Sequence, residues 1–237
     1  MLIRILETGE PPEPLKSTFG DYPGMFERLL APWSREFTFS STAAHKGAAM
    51  PVLSDFDGLL ITGSPAGVYD GYDWIGPCED LVRRTAKAGK PQVGICFGHQ
   101  LMAQAFGGRT EKSGRGWGVG VHDYTLNGGA EWMSPQSSRL ACAVSHQDQV
   151  VEAPAGARVL GGSEFCPIGV LEFMQGPAIS FQQHPEFAHD YGETLLRFRK
   201  DRIPAERAEP GLQSYKNRSD RELMAQWIAN FFLQHKR

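Results

Sequence analysis

The feature that most constrains this chain is the seven-residue run GICFGHQ, from Gly94 to Gln100. An apolar stretch, PQVGI, leads straight into Cys96, and a helix-forming stretch, HQLMAQAF, follows three residues later. Glycines stand two residues before and two residues after the cysteine, where a sharp strand-to-helix turn crowds the backbone. A turn of this kind needs a strand inside a sheet and a helix that returns across it, which selects an α/β architecture. It lifts the Cys96 sulfur to the carboxyl end of the sheet, where open α/β folds bind ligands. It also sets the thiol at a helix N-terminus, whose partial positive charge favours the nucleophilic thiolate. Cys78, Cys142 and Cys166 have no such surroundings and read as core or surface thiols.

The rest of the first half supports that architecture. Leu2 to Leu6 reads as a strand, Tyr22 to Leu30 as a helix capped by Asp21, and Glu36 to Phe39 as a second strand. In FDGLLITG, the run Leu59, Leu60, Ile61 has the continuous apolarity of a strand buried on both faces. Asp73 to Ala88 reads as a helix ending at Gly89, with Glu79 and Asp80 four residues before Arg83 and Arg84. This order predicts a mostly parallel sheet with helices on both faces. From Gly118 to Phe181 the texture becomes β-rich, in short runs such as GVGVHDYTL, RLACAVSH and IGVLEFM, and predicts a partly antiparallel extension of the sheet. The polar stretch from Asp201 to Ser219, with Pro204, Pro210 and Gly211, reads as a surface excursion. In the last helix Leu223, Met224, Trp227, Ile228, Phe231 and Phe232 form one apolar stripe that packs on the sheet. No repeat or linker divides the chain, so residues 1–237 are expected to form a single domain.

Composition excludes several function classes. A formal net charge of -3 leaves no basic excess for a nucleic-acid or membrane surface. No apolar run approaches the roughly 20 residues that span a bilayer, and the start, MLIRILETG, lacks the apolar stretch of a signal peptide. A cytoplasmic location is therefore expected. The four cysteines form no CxxC pair and no cluster with histidine, so reduced thiols are expected and no metal site is indicated.

A thiol nucleophile needs a base, and SFQQHPEF supplies one in His184, with Glu186 two residues on. Side chains at i and i+2 of extended backbone point the same way, so Glu186 can hold one ring nitrogen while the other faces Cys96. His99 and His146 are the competing bases; His99 lies too close to Cys96 along its helix to swing onto the sulfur. His45, His122, His189 and His235 sit in no constellation. A second loop, TGSPAGVYD, brings the backbone N–H of Gly63 near a bound carbonyl, where it can form an oxyanion hole with the N–H of Phe97. With GxxxxGK[ST] and GxGxxG both absent, a nucleotide cradle is disfavoured.

Together GICFGHQ, TGSPAGVYD, SHQDQV and FQQHPEF, in that family's order over about residues 57–187, resemble the class I glutamine amidotransferases, with the closest look to GMP synthase-like members. The resemblance implies a flavodoxin-like α/β fold and hydrolysis of glutamine to glutamate and ammonia with no metal or organic cofactor. It implies Cys96 as nucleophile, His184 as base, Glu186 as its orienting partner, and Gly63 and Phe97 as oxyanion donors. It further implies that Gln100, Ser145 and His146 hold the substrate, and that Gly116 to Gly118 fall at a substrate-lining strand. The family's loop often begins with two glycines, and Thr62 stands in the place of the first of them, which puts the local backbone of that loop in question. The resemblance to GMP synthases covers their amidotransferase part alone, and 237 residues leave no room for their ATP-using part, so either a separate synthetase subunit receives the ammonia or none does. Two other readings keep the fold: a γ-glutamyl peptidase or hydrolase acting on other γ-glutamyl amides, and a catalytically idle binding or redox-sensing module.

Overall fold

The computed structural model describes residues 1–236. Its frame is a nine-stranded sheet whose centre consists of short strands with every residue buried: β3 (Gly58–Ile61), β4 (Gln92–Ile95) and β11 (Ala178–Phe181). Burial on both faces is what the unbroken apolar run of β3 demands, and β4 and β11 bury one polar residue each, Gln92 and Ser180. The period of two then sorts the side chains between two cores. Leu60, Val93, Ile95, Ile179 and Phe181 enter one, whereas Leu59 and Ile61 enter the other.

Beyond β3 lie β1 (Leu2–Glu7) and, at the edge, β2 (Thr38–Ala43), both parallel to it. β4 pairs with β3 and β11, also in parallel. On the other side of β11 the sheet turns antiparallel through β10 (Val170–Phe173), β9 (Arg158–Gly162), β6 (Gly118–Leu126) and β7 (Arg139–His146). The expected mixture of a parallel half and an antiparallel half is thus present. A separate ribbon pairs β5 (Arg109–Lys112) with β8 (Asp148–Glu152).

On one face α2 (Tyr22–Leu29) and α7 (Arg221–Gln234) cover the sheet, the latter through Trp227, Ile228, Phe231 and Phe232. Asp21 caps α2 as expected, its carboxylate accepting from the Gly24 N–H at 2.9 Å. The opposite face carries α3 (Ile75–Lys87) and α4 (Phe97–Ala105), packed through Leu81, Val82, Leu101 and Met102. Among the described residues no helix is long and apolar enough to cross a membrane.

Three local readings differ from the structure. The second strand begins two residues later than the apolar pattern suggests, because its register is set by pairing with β1 at an edge. A short helix, α1 (Glu13–Phe19), follows Pro12 between the first strand and α2, a segment in which the sequence pattern marks no element. After α5 (His189–Arg199), residues 205–214 form α6 (Ala205–Ser214) rather than an irregular excursion. Pro204 stands just before its first residue, a position that prolines tolerate, and tertiary contact overrides Pro210 inside it. Gly120, at φ 90°, lets that helix approach β6 so closely that a Cβ there would lie 2.6 Å from the Gly211 oxygen. The Ser214 hydroxyl seals the contact, accepting from the Val121 N–H at 2.7 Å.

Candidate active site

β3, β4 and β11 are adjacent and parallel, so the chain leaves all three at the same end of the sheet, on strands about 5 Å apart. Gly63 follows β3, Cys96 follows β4 and His184 follows β11. Three segments distant in sequence are thereby brought together by strand order alone.

Cys96 sits at φ 52° and ψ -101°, and among the described residues it is the only non-glycine with positive φ. That conformation is costly for an L-residue and persists only where its surroundings over-determine it. They do so here. The Cys96 N–H donates to the Phe181 carbonyl at 2.8 Å, fixing the end of β4 to β11. A Cβ on Gly94 would lie 2.5 Å from the Gly98 oxygen, and one on Gly98 would lie 2.5 Å from the Ile61 oxygen. Both glycines of the motif are therefore required by close backbone approach.

His184 is 4% exposed and Glu186 3% exposed, so their mutual contact is shielded from water. His184 Nδ1 and Glu186 Oε1 are 2.7 Å apart, as the i, i+2 spacing predicts. The imidazole stacks on Phe187 at 4.0 Å and 7°, and its own backbone N–H donates to the Ala143 carbonyl. Burial opposes a charge on His184, but the Glu186 carboxylate and then Cys96 outweigh it and hold the imidazole pKa well above its ordinary value. The ring edge abuts Gly63: a Cβ there would lie 2.8 Å from His184 Cε1 and 3.6 Å from Cys96 Cβ. Among the described residues neither the Gly63 N–H nor the Phe97 N–H donates to a backbone acceptor, which leaves both for a ligand.

Thr62 does not disturb the loop. Its φ is not positive, so glycine's freedom is not used there, and its hydroxyl accepts from the Thr8 N–H at 3.0 Å. The competing histidines are engaged elsewhere. His99 joins Ser180 Oγ at 2.7 Å and the Ile168 oxygen at 3.1 Å, and burial pushes its pKa down to about 4. His146 joins the Asp148 oxygen through Nδ1 at 3.0 Å, while its Nε2 lies toward Gly118; burial pushes it down to about 3.

A cavity of about 250 Å³ opens over Cys96, lined among others by Gln100, Trp117, Ser145, Asp148 and Arg199. Its size suits an amino acid better than a drug-sized ligand. Gln100 commits its amide nitrogen to the Asp148 oxygen at 2.8 Å and to Gln182 Oε1 at 3.1 Å. Gln182 Nε2 in turn reaches Cys96 Sγ at 3.5 Å. Sequence reasoning missed Gln182; the signal available was its i, i+2 relation to His184, which puts both on one side of the strand end. Trp117, the residue before β6, lines the cavity, whereas its neighbours Gly116 and Gly118 are not among the lining residues. Cys78, Cys142 and Cys166 are fully buried in the core, and burial raises all three thiol pKa values, Cys78 and Cys166 to about 12.

Residues 26–200 match the family model for glutamine amidotransferase class-I. The chain is 31% identical over 187 residues to a glutamine-hydrolysing GMP synthase of Streptococcus mutans, a match that covers 75% of this chain and 34% of that protein. The chain thus spans about a third of that relative's length. It is 26% identical over 182 residues to gamma-glutamyl peptidase 4 of Arabidopsis thaliana, covering 74% of this chain and 71% of the relative. The solved structure of a glutamine amidotransferase from Thermotoga maritima superposes with a TM-score of 0.81 at 18% identity, over 98% of each chain, which speaks to the fold. Strand order, the strained turn at Cys96 and the matched family model lead to one statement: this chain belongs to the class-I glutamine amidotransferases.

Proposed function

We propose that this chain hydrolyses the side-chain amide of glutamine through a thioester on Cys96. The observation that carries the reading is the strained Cys96 held between the Gly63 loop and the His184–Glu186 pair. The sulfur attacks the amide carbon, and the oxygen that becomes negative is received by the N–H groups of Gly63 and Phe97. His184, oriented by Glu186, gives its proton to the departing nitrogen, and ammonia leaves. Water, deprotonated by His184, then attacks the γ-glutamyl thioester; glutamate is released and the thiol is restored. Gln100, Ser145 and His146 hold the amino-acid end, His146 through its backbone since its ring is turned away. The steps call on no resident metal or cofactor. The chain works as one domain in the cytoplasm and supplies ammonia to a synthetase, a partner suggested by the likeness to a glutamine-hydrolysing GMP synthase.

The likeness to gamma-glutamyl peptidase 4 favours a second reading, in which the leaving group is the amine of another γ-glutamyl compound. The chemistry is the same and only the amine differs. Steady-state rates of the purified chain on glutamine and on γ-glutamyl dipeptides separate the two. The first reading expects slow ammonia release from glutamine and little dipeptide cleavage; a kcat/KM tenfold higher on a dipeptide, about 1.4 kcal/mol of transition-state binding, transfers the assignment. In either case Cys96→Ala abolishes turnover, and a glutamine-like electrophile labels Cys96 ahead of the three buried thiols. Full activity of that variant removes both readings.

A further inference from the structure

The cavity over Cys96 carries two guanidinium groups that neither the fold nor the proposed mechanism employs. Arg199 is the last residue of α5 and Arg202 follows it in a short 3-10 turn; both line the cavity. Arg199 is half-buried, and its Nη1 donates to Ser145 Oγ at 3.0 Å. Among the described residues neither arginine is ion-paired with a carboxylate. Arg197, two residues before Arg199, shows the contrast: it is exposed and paired with Glu193 at 2.6 Å. A guanidinium offers five N–H donors in a fixed fork, and Arg199, which lines the cavity, uses its side chain in one hydrogen bond among the described residues. Asp148 is the one carboxylate among the lining residues. Two cations and one anion around a space of amino-acid size complement a ligand that bears both a carboxylate and an ammonium.

We propose that Arg199, backed by Arg202 at the rim, binds the α-carboxylate of the substrate's glutamyl group and makes the site selective for a free carboxylate there. The inference rests on the proposed amide hydrolysis and holds for either leaving group, since glutamine and γ-glutamyl peptides share this carboxylate. Ser145, assigned above to the amino-acid end, is the residue that Arg199 touches, so the guanidinium stands at the end of the substrate away from the scissile bond. A guanidinium fork grips a carboxylate with two parallel hydrogen bonds, which an ammonium does not reproduce.

The test compares glutamine with its α-carboxamide, in which that carboxylate has become a neutral amide, on the wild-type chain, Arg199→Gln and Arg199→Lys. The wild type is expected to favour glutamine about 30-fold in kcat/KM, which is about 2 kcal/mol. Arg199→Gln should erase the preference by raising KM for glutamine about 30-fold with kcat nearly kept, and should leave the α-carboxamide within threefold. Arg199→Lys should recover part of it, and it carries the test if the glutamine variant fails to fold. Equal losses on both substrates would assign Arg199 a structural role at the helix end and overturn the inference, as would an unchanged preference in either variant. If the wild type attacks neither glutamine nor a γ-glutamyl dipeptide, the proposed function falls and takes this inference with it, before any variant is made.

Discussion

Replacing Gly63 by alanine asks whether the loop after β3 and the imidazole of His184 form one rigid assembly. The added Cβ would lie 2.8 Å from His184 Cε1. Ordinary carbon contacts begin near about 3.5 Å, so the shortfall is about 0.7 Å. The ring has little room to yield, because Glu186 holds it at 2.7 Å and Phe187 stacks on it at 4.0 Å. The displacement therefore falls on the loop, and the Gly63 N–H moves away from the position of the developing oxyanion. Losing one oxyanion donor costs about 10²- to 10³-fold in kcat, and overpacking a tight contact costs about 1–3 kcal/mol of stability. We expect Gly63→Ala to lower kcat for glutamine hydrolysis about 100-fold with a small change in KM, and to lower Tm by several degrees. Ammonia release at saturating glutamine and thermal denaturation measure the two effects. A variant within threefold of wild type in kcat would show that this loop moves freely relative to His184, and the oxyanion assignment of Gly63 would fail.

Two further outcomes follow from the buried histidines. His184→Ala should lose nearly as much activity as Cys96→Ala, and Glu186→Gln less. Because the Glu186 charge raises the His184 pKa, Glu186→Gln should also move the alkaline limb of the kcat profile to lower pH; an unmoved limb would mean that another group controls it. The stabilisation from the raised His184 pKa is complete below about pH 6.5 and is lost as pH rises through the folded value, so wild type and Glu186→Gln should converge in Tm on the alkaline side. His99 has the opposite sign: burial lowers its pKa to about 4, so the unfolded chain takes up the proton first and stability falls as pH drops below about 6.5. From that shift we expect about 2 kcal/mol of acid destabilisation at pH 5, which denaturant titrations should show to be largely absent in His99→Gln.

The parts of the site that could be read in the sequence are those fixed by short-range backbone geometry. GICFGHQ specifies its turn because Gly94 and Gly98 answer to atoms within the turn and the neighbouring β3. His184 and Glu186 meet because extended backbone puts i and i+2 on one side. The sheet's division was legible too, since two-sided burial leaves an unbroken apolar run in β3 and mixed patterns in β6 and β7. What escaped depends on packing between distant segments. Gln182 gains its place by joining Gln100 to Cys96 across two elements. Arg199 belongs to no motif in the sequence, and only the docking of α5 beside Ser145 places it at the cavity. The helix at residues 205–214 was hidden because its prolines read as breakers, while Gly120 and Ser214, 94 residues apart in sequence, supply the fit that holds it.

The turn at Cys96 has a consequence for how such a chain changes over generations. A left-handed backbone at a residue with a side chain stores about 1–3 kcal/mol, against a net stability of about 5–15 kcal/mol for a typical folded protein. Glycine at that position would release the strain, and selection for stability alone would favour it. A lineage freed from the need for a nucleophile would therefore drift toward glycine at 96 early, because the substitution removes strain without disturbing the hydrogen bond from that backbone N–H to Phe181. In the proposed reaction the strain is offset by reactivity, because glycine would make the same turn but bring no sulfur to it.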